Sequence, residues 1–288
     1  MQAGFIGLGA MGMGMARNLV HAGCLAGVYN RSRHKADAFA AASGVKVYDS
    51  PQALAEHVDV ILLCVSADPD VLSLAAAVAE TAKPGSVVID MSTVSLDTAQ
   101  RAAALLATKA IDFLDAPVSG GVEGARTGQL VAMVGGDSEV LERVQPILSA
   151  MTRRIEHLGA TGAGQACKAV NQIMAAGINQ AVTEALAFAA AQSLDLNKVI
   201  DVVSGGAAGN WFLDHRGKNL VQGQFDPGFK LALHHKDLLI CHQMAQQLAL
   251  ECPLTYQTIA DYAQLMQQGH GDDDISALYR LKRPHSIQ

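Results

Sequence analysis

Three side chains near position 170 have the types and spacing to act on one small ligand. Lys168, Asn171 and Gln172 stand at positions i, i+3 and i+4, so on a helix they project from one face. The following residues, 173–191, are apolar on almost every side, which is typical of a buried helix. A lysine at its start either acts on a ligand or extends its amine to the surface. If it acts on a ligand, an amine beside two amides is suited to proton exchange and hydrogen bonding.

A glycine-rich turn lies near the start of the chain. Residues 3–8 form a short apolar run and residues 13–21 have helical spacing, with glycines at positions 7, 9 and 12 between them. This arrangement predicts a dinucleotide site, because Gly7 makes the tight turn, Gly9 admits a pyrophosphate and Gly12 lets the helix pack on the strand. The helix N-terminus then faces the phosphates. The candidate cofactor contacts here are Gly7, Leu8, Gly9, Ala10, Met11 and Gly12.

The second apolar run, residues 25–29, ends in Asn30, Arg31 and Ser32. An enzyme that uses NAD usually has an acidic residue here to bind the ribose 2′-hydroxyl, and this sequence has none. Arg31, with its two polar neighbours, is suited instead to the 2′-phosphate of NADP. The pattern therefore predicts NADP, with NAD as the weaker alternative. Alternatively, Arg31 is an ordinary surface cation at the start of a helix.

Strand and helix patterns alternate as far as residue 158, which predicts a doubly wound Rossmann-type sheet. Ligands bind at the carboxyl ends of such strands. Val65, Ser66 and Thr93 follow predicted strands and are candidate cofactor contacts, although Thr93 is equally suited to capping a helix.

A glycine-rich loop follows a later predicted strand. It contains Ser119, Gly120 and Gly121. Such a backbone is able to turn several N–H groups toward one point, which favours a substrate carboxylate. The alternative is a loop without a ligand.

From about residue 164 onward the patterns are helical only, which predicts an all-helical second domain. The expected domains are 1–161, binding the cofactor, and 162–288, serving substrate binding and oligomerisation. Trp211, the single tryptophan, either walls a substrate pocket or packs in the core. His234 and His235 are adjacent and point in different directions, so we expect no metal site.

Composition narrows the class of protein. The net charge is −6 without a basic run, which argues against a nucleic-acid partner. Polar residues interrupt the longest apolar segment, so no membrane span is expected. Five scattered cysteines and the absence of a recognisable signal favour a reduced, cytoplasmic protein. The apolar helix after residue 164 favours a homo-oligomer, because one small domain offers it little cover.

Four motifs together resemble the 3-hydroxyacid dehydrogenase family, which includes 3-hydroxyisobutyrate dehydrogenase, tartronate semialdehyde reductase and the glyoxylate/succinic semialdehyde reductases. The resemblance covers essentially the whole chain. The matching segments are residues 4–12 for the cofactor, 115–121 for the substrate, 162–172 for catalysis and 236–238 for a late lysine near the cofactor.

This resemblance implies that Lys168 is the acid/base, that Ser119, Gly120 and Gly121 contact a substrate carboxylate, and that Lys236 contacts the cofactor. Many members have asparagine where this chain has Gln172, so which amide, Asn171 or Gln172, contacts the substrate stays open. The resemblance also implies dimers or tetramers.

The expected activity is reversible hydride transfer between NADP(H) and a small 3-hydroxy acid or its semialdehyde. An unperturbed lysine titrates near pH ~10.4, so oxidation should speed up toward alkaline pH. The alternatives are imine reduction on the same scaffold, a sensor that binds NADPH without turnover, and a methyltransferase with a similar turn.

Overall fold

The computed structural model describes residues 1–283. The chain divides into two compact units, Met1–Lys168 and a second that begins at Ala169. A Rossmann-type sheet with helices is followed by an all-helical region, which confirms the architecture expected from the sequence.

The first unit alternates strands and helices. Its strands are β1 (Ala3–Ile6), β2 (Leu25–Tyr29), β3 (Lys46–Val47), β4 (Val60–Leu63), β5 (Val87–Asp90), β6 (Asp112–Asp115), β7 (Val118–Ser119), β8 (Leu130–Gly135) and β9 (Thr152–Gly159). Its helices are α1 (Ala10–His21), α2 (Arg33–Ser43), α3 (Pro51–Ala55), α4 (Asp68–Ala79), α5 (Leu96–Ala107), α6 (Gly121–Thr127) and α7 (Ser138–Ser149).

The sheet order explains where a ligand can bind in this unit. Strands run in the order β3-β2-β1-β4-β5-β6-β8-β7, and β9 pairs with β8. The pairs from β3 to β6 are all parallel, whereas β8 is antiparallel to β6 and β7. The carboxyl ends of β1, β2, β4, β5 and β6 therefore meet at one edge, which is where such sheets bind ligands.

Two apolar layers cover this sheet, because its central strands are buried on both faces. Phe5 and Leu62 belong to the layer that includes Met15 of α1. Ile6 and Ile61 belong to the opposite layer. Neighbouring residues along a strand thus face different layers, so both faces of the sheet are packed.

The second unit is helical. Its elements are the part of α8 (Ala163–Ala191) after Lys168, then α9 (Leu196–Ser204), α10 (Trp211–Val221), α11 (Leu231–Gln247), α12 (Pro253–Gln267), a 3₁₀ helix (Ile275–Leu278) and α13 (Tyr279–Lys282). Tyr262 is fully buried at its centre, among leucines 220, 231, 238 and 265.

Helix α8 is long and apolar enough to cross a membrane by length and composition alone. The core helix of a soluble protein meets the same criteria. Asn179, Gln180 and Thr183 lie buried in its middle, where the two amides bond to Tyr262 and Asp261. These bonds join the middle of α8 to α12 within the second unit.

Two boundaries differ from the sequence prediction. The sequence pattern predicts that the glycine-rich loop extends to residue 125, whereas residues 121–127 form helix α6, which the pattern hides because its two glycines lower helix propensity. The apolar pattern predicts a last short strand over residues 155–158, whereas strand β9 begins three residues earlier, at Thr152. Its early residues include the exposed Arg153 and Arg154, which do not give an apolar strand signal.

Candidate active site

The glycine turn after β1 requires its glycines for different reasons. Gly7 has φ of +105°, and a Cβ there would lie 2.2 Å from the carbonyl oxygen of Cys64. A Cβ on Gly12 would lie 1.9 Å from the carbonyl oxygen of Gly7. At Gly9, the residue before α1, a Cβ would meet no atom within 4 Å. The space in front of the α1 N-terminus is therefore open, as a pyrophosphate requires.

Asn30 joins this turn to the end of β2. Its Oδ1 accepts the N–H of Leu8 at 2.8 Å and its Nδ2 donates to the carbonyl oxygen of Ser32 at 2.9 Å. Arg31 beside it is exposed and forms a 3.2 Å ion pair with Asp70 of α4. A basic side chain thus stands beside the glycine turn, within a segment that Asn30 orders.

The ends of β4 and β5 are connected by a serine. The Oγ of Ser92 accepts the N–H of Val65 at 2.9 Å. Because Ser92 directly precedes Thr93, this bond connects the two candidate cofactor contacts Val65 and Thr93. Ser66 is exposed beside Val65. Both strand ends therefore form one bonded surface at the carboxyl edge.

Asp90, the last residue of β5, is fully buried. Burial raises its pKa to about 7, against hydrogen bonds from Ser92 and with repulsion from Asp115 and Asp68 adding to the shift. Its Oδ1 accepts the N–H of Ser92 at 3.0 Å, and its Oδ2 has no hydrogen-bond partner within the described residues. Near neutral pH this carboxyl holds a proton that an ordinary aspartate has lost.

The loop of Ser119, Gly120 and Gly121 begins as strand β7, paired with β8. Gly120 and Gly121 have φ of +131° and +63°, values that a residue with a side chain rarely adopts. Ser119 is half-buried and Gly120 is exposed. The backbone turns sharply here and leads at once into α6.

Lys168 lies in the second turn of α8, and its side chain is buried. Its Nζ donates a hydrogen bond of 2.9 Å to the carbonyl oxygen of Val118. The first unit thus brings the candidate acid/base to the residue just before Ser119, one of its candidate substrate contacts.

The carboxylate of Asp115, the last residue of β6, holds the start of helix α8. Oδ1 of Asp115 accepts the N–H of Gly162 at 2.7 Å, and Oδ2 accepts the N–H of Gln165 at 2.9 Å. Burial raises the pKa of Asp115, and these backbone donors oppose the rise. At Gly164 a Cβ would lie 2.4 Å from the carbonyl oxygen of Met133. The helix start therefore lies directly against the sheet.

In the second unit, the two amides and the late lysine form one network. Nε2 of Gln172 donates to Oδ2 of Asp237 at 2.7 Å, and Oε1 of Gln172 accepts from Nδ2 of Asn171 at 2.7 Å. Nζ of Lys236 forms a 3.0 Å ion pair with Oδ1 of Asp237. Gln172 and Asp237 are buried, whereas Asn171 and Lys236 are half-buried. Asp237 thus connects Gln172 with Lys236.

His234 is a core residue. Its Nδ1 lies 3.1 Å from the hydroxyl oxygen of Tyr262 and its Nε2 lies 3.2 Å from the carbonyl oxygen of Gln172. These contacts fix the backbone that carries the second amide.

Trp211 begins α10 and is 60% exposed, stacked on His215 with ring centroids 4.2 Å apart. The guanidinium of Arg216 lies 5.1 Å from its ring. Phe212 is buried in the core. Trp211 therefore has an exposed ring that a ligand can contact, whereas its neighbour Phe212 does not.

Sequence reasoning missed three polar residues at these sites. Gln165, Asp115 and Asp237 hold the helix start and the amide network. Gln165 had a usable signal, since it stands three residues before Lys168 on the same helix face. The bonds of Asp115 and Asp237 span 47 to 65 residues of sequence, which no local pattern reveals.

Two family models match the chain. The NAD binding domain of 6-phosphogluconate dehydrogenase matches residues 2–159, and the NAD-binding domain of NADP-dependent 3-hydroxyisobutyrate dehydrogenase matches residues 162–282. The chain belongs to the 3-hydroxyacid dehydrogenase family.

Similar proteins match this chain over 88% or more of its length. The 2-hydroxy-3-oxopropionate reductase of Escherichia coli is 40% identical over 258 residues, 88% of each chain. The structure of 3-hydroxyisobutyrate dehydrogenase from Mycobacterium tuberculosis with L-serine is 34% identical, has a TM-score of 0.89 and is matched over 99% of this chain and 100% of that one. The structure of Psf3 in complex with NADP+ and 2-OPP is 26% identical and has a TM-score of 0.87, and the match covers 97% of this chain and 99% of that one.

Solved imine reductases from Bacillus cereus and Myxococcus stipitatus are only 21% and 17% identical, with TM-scores of 0.63 and 0.66. They share the fold with this chain. Family membership makes this protein an NAD(P)-dependent oxidoreductase of the 3-hydroxyacid dehydrogenase type.

Proposed function

We propose that this 3-hydroxyacid dehydrogenase uses NADP(H) to interconvert a small 3-hydroxy acid and its semialdehyde, with Lys168 as the acid/base. The observation that carries the proposal is the buried amine of Lys168 bonded to the residue before Ser119. A buried amine is costly unless it has a partner or a task. Lys168 lies next to a loop suited to a substrate carboxylate, so we infer that its amine exchanges a proton with the substrate bound there.

The residues present fit a dinucleotide. The open space at Gly9 lies before the N-terminus of α1, whose N–H groups would face the phosphates. Arg31, Asn30 and Ser32 would hold the 2′-phosphate, and Val65, Ser66 and Thr93 would border the rest. Lys236 is a further contact by resemblance. When bound, the nicotinamide supplies or accepts a hydride.

Lys168 would move the proton that accompanies the hydride. As a carbonyl carbon gains hydride, its oxygen gains negative charge, which an ammonium group stabilises more in the transition state than in the ground state. Lys168 then gives its proton to that oxygen. In oxidation the lone pair of a neutral Lys168 amine takes the hydroxyl proton, while an N–H of the same amine can keep its bond to the Val118 carbonyl.

The substrate carboxylate would lie in the loop of Ser119, Gly120 and Gly121. Gly120 and Gly121 adopt positive φ, which turns backbone N–H groups in directions that an ordinary loop does not offer. Small acids with a hydroxyl or aldehyde two carbons from the carboxylate are the expected class, as the names of the relatives suggest. Trp211, with an exposed ring, is a further substrate contact in this proposal.

Asn171 is the amide that we assign to the substrate. An ionised carboxylate only accepts hydrogen bonds, so the NH₂ of Gln172 must face Asp237 and its oxygen must face Asn171. Gln172 is thereby occupied at both ends of its amide. Asn171 keeps its carbonyl oxygen and a second N–H for a ligand.

The protein would act as a homo-oligomer. On α8 a stripe of one face is exposed although apolar: Val170, Met174 and Phe188 are 56%, 60% and 66% exposed. Residues 177 and 181 lie on the same face and are small, which permits close helix packing. A second copy of the chain would cover this stripe, and light scattering during size-exclusion chromatography measures the mass. We place the enzyme in the cytoplasm, since its five cysteines are scattered along the sequence without disulfide or zinc-site spacing, which favours a reducing compartment.

A substrate screen tests the proposal. NADPH consumption is measured with tartronate semialdehyde, methylmalonate semialdehyde, succinic semialdehyde and glyoxylate, beside NADP-coupled oxidation of 3-hydroxyisobutyrate, glycerate and L-serine. We expect at least one semialdehyde to be reduced. NADPH binding without turnover of any compound would favour the sensor, and turnover of cyclic imines alone would favour imine reduction.

A further inference from the structure

A side chain as well as the backbone bonds the first turn of α8 to the ends of the sheet strands. Gln165 is buried, and its Oε1 accepts the N–H of Val94 at 3.2 Å while its Nε2 donates to the carbonyl oxygen of Ser92 at 2.9 Å. Both ends of this amide therefore hold the turn after β5. Because Ser92 also accepts the N–H of Val65, the bonds continue to the end of β4.

The backbone of the same residue is bonded to a different strand. The N–H of Gln165 donates to Oδ2 of Asp115, the last residue of β6. Gln165 thus makes three hydrogen bonds to two neighbouring strand ends. Residues 115–119 continue from that carboxylate into the Ser119 loop, and the turn of Ser92 carries Thr93 directly after it.

Gln165 and Lys168 are one turn apart on one helix face, at i and i+3. Asp115, which accepts from Gly162 and Gln165, bonds the backbone of the helix start near one point. The side chain of Gln165 adds a second attachment on the turn of Ser92, which opposes rotation of the helix about that point. Rotation of α8 would carry Nζ of Lys168 away from the Val118 carbonyl and from a substrate held beside it.

We propose that Gln165 is a positioning residue, whose amide fixes the rotation of α8 and thereby holds Lys168 over the Ser119 loop. This inference rests on the proposed function of Lys168. It predicts that Gln165 acts on the rate of the chemical step, since effects of about 10²-fold follow from misplacing a reacting group by ~1 Å.

The test compares two buried glutamines of the same helix. Gln165→Met and Gln180→Met each remove an amide with two side-chain hydrogen bonds, but Gln180 bonds to Thr258 and Asp261, roughly three turns of helix from Lys168. With NADPH and tartronate semialdehyde, or the best semialdehyde of the screen, Gln165→Met should lower kcat by about 10- to 100-fold. Its KM for NADPH should change less than about fivefold, and Gln180→Met should keep kcat within about twofold.

Thermal midpoints and Lys168→Ala are measured beside them. Unchanged kcat in Gln165→Met, or an equal loss in Gln180→Met, would overturn the positioning role. If Lys168→Ala keeps its turnover, the proposed function fails instead. If Lys168→Ala is inactive and Gln165→Met is not impaired, only the positioning inference fails.

Gln165→Glu keeps the proposal testable if Gln165→Met does not fold. Ionised glutamate still accepts from Val94 but faces the Ser92 carbonyl without a proton to donate, whereas the protonated acid restores that bond. Burial at this position and the contact with Asp115 disfavour the ionised form of the glutamate, whereas Lys168, one turn away, favours it. The ratio of its kcat to that of the wild type should therefore rise as pH falls from about 8 to about 6. A constant ratio would contradict the role.

Discussion

Nζ of Lys168 donates a hydrogen bond of 2.9 Å to the carbonyl oxygen of Val118, the residue immediately before Ser119. Fifty residues of sequence separate the two groups. The bond stabilises a buried amine, and it places that amine beside the loop to which we assign the substrate carboxylate. The same region of the first unit therefore contains both the acid/base and the substrate contact that we propose.

The glycine turn offers a pair of matched substitutions. Gly9→Ala should lower NADPH affinity by at least about 10-fold, because the methyl group occupies the approach of the pyrophosphate. It should leave the thermal midpoint nearly unchanged, since Gly9 has φ of −77° and a Cβ meets no protein atom. Fluorescence titration with NADPH and calorimetry give the two values.

Gly12→Ala is the contrasting variant of this pair. Its Cβ would lie 1.9 Å from the carbonyl oxygen of Gly7, so the folded state must shift and lose stability, by roughly 1–3 kcal/mol. If Gly9→Ala binds NADPH as tightly as the wild type does, the cofactor does not approach this turn.

Arg31 should determine the preference for NADPH over NADH. Arg31→Ala removes charge-assisted hydrogen bonds to the 2′-phosphate, so kcat/KM with NADPH should fall by about 10- to 100-fold while that with NADH changes little. Arg33→Ala is the matched control, because Arg33 is exposed and already paired with Asp37 and Asp49.

Asp70 should weaken this preference in the wild type. Asp70→Asn releases Arg31 from its 3.2 Å ion pair and should tighten NADPH binding by up to about fivefold, the range of an exposed pair. Equal use of both cofactors by the wild type and by Arg31→Ala would refute the role of Arg31.

Asp90 should make stability depend on pH. Its folded pKa of about 7 lies above the ordinary value of 3.8, so the folded state holds the proton more tightly. The stabilisation is therefore fully present below pH ~4 and is lost as pH rises through about 7. Relative to Asp90→Asn, the wild type should lose free energy of unfolding between about pH 4 and pH 8, on the order of 4 kcal/mol.

Urea unfolding at a series of pH values measures this difference. The amide that replaces the carboxyl in Asp90→Asn does not titrate, so other groups contribute equally to both proteins. Parallel curves for the wild type and Asp90→Asn would show that the Asp90 pKa is not raised in the folded state.

Local patterns predicted the parts of this protein that local forces decide. The turn of Gly7 and Gly12 is predictable from spacing, because the positive φ of Gly7 and the close approach of Gly12 to the Gly7 carbonyl both arise within the turn. Helix α6 was not predicted from the sequence, because its glycines disfavour a helix that tertiary contacts stabilise. The side-chain hydrogen bonds of Gln165 were not predicted, because their partners lie 71 to 73 residues away in the sequence and only the folded sheet brings them together.

The most direct measurement of the central claim is the turnover of Lys168→Ala and Lys168→Arg, with Lys109→Ala as an exposed lysine control. Arginine keeps the charge but does not release a proton, so both Lys168 variants should lose at least about 10²-fold in kcat. NADPH should bind them nearly as tightly as it binds the wild type, and Lys109→Ala should behave as the wild type does. Turnover within about threefold of the wild type in Lys168→Ala would contradict the assignment of Lys168 as the acid/base.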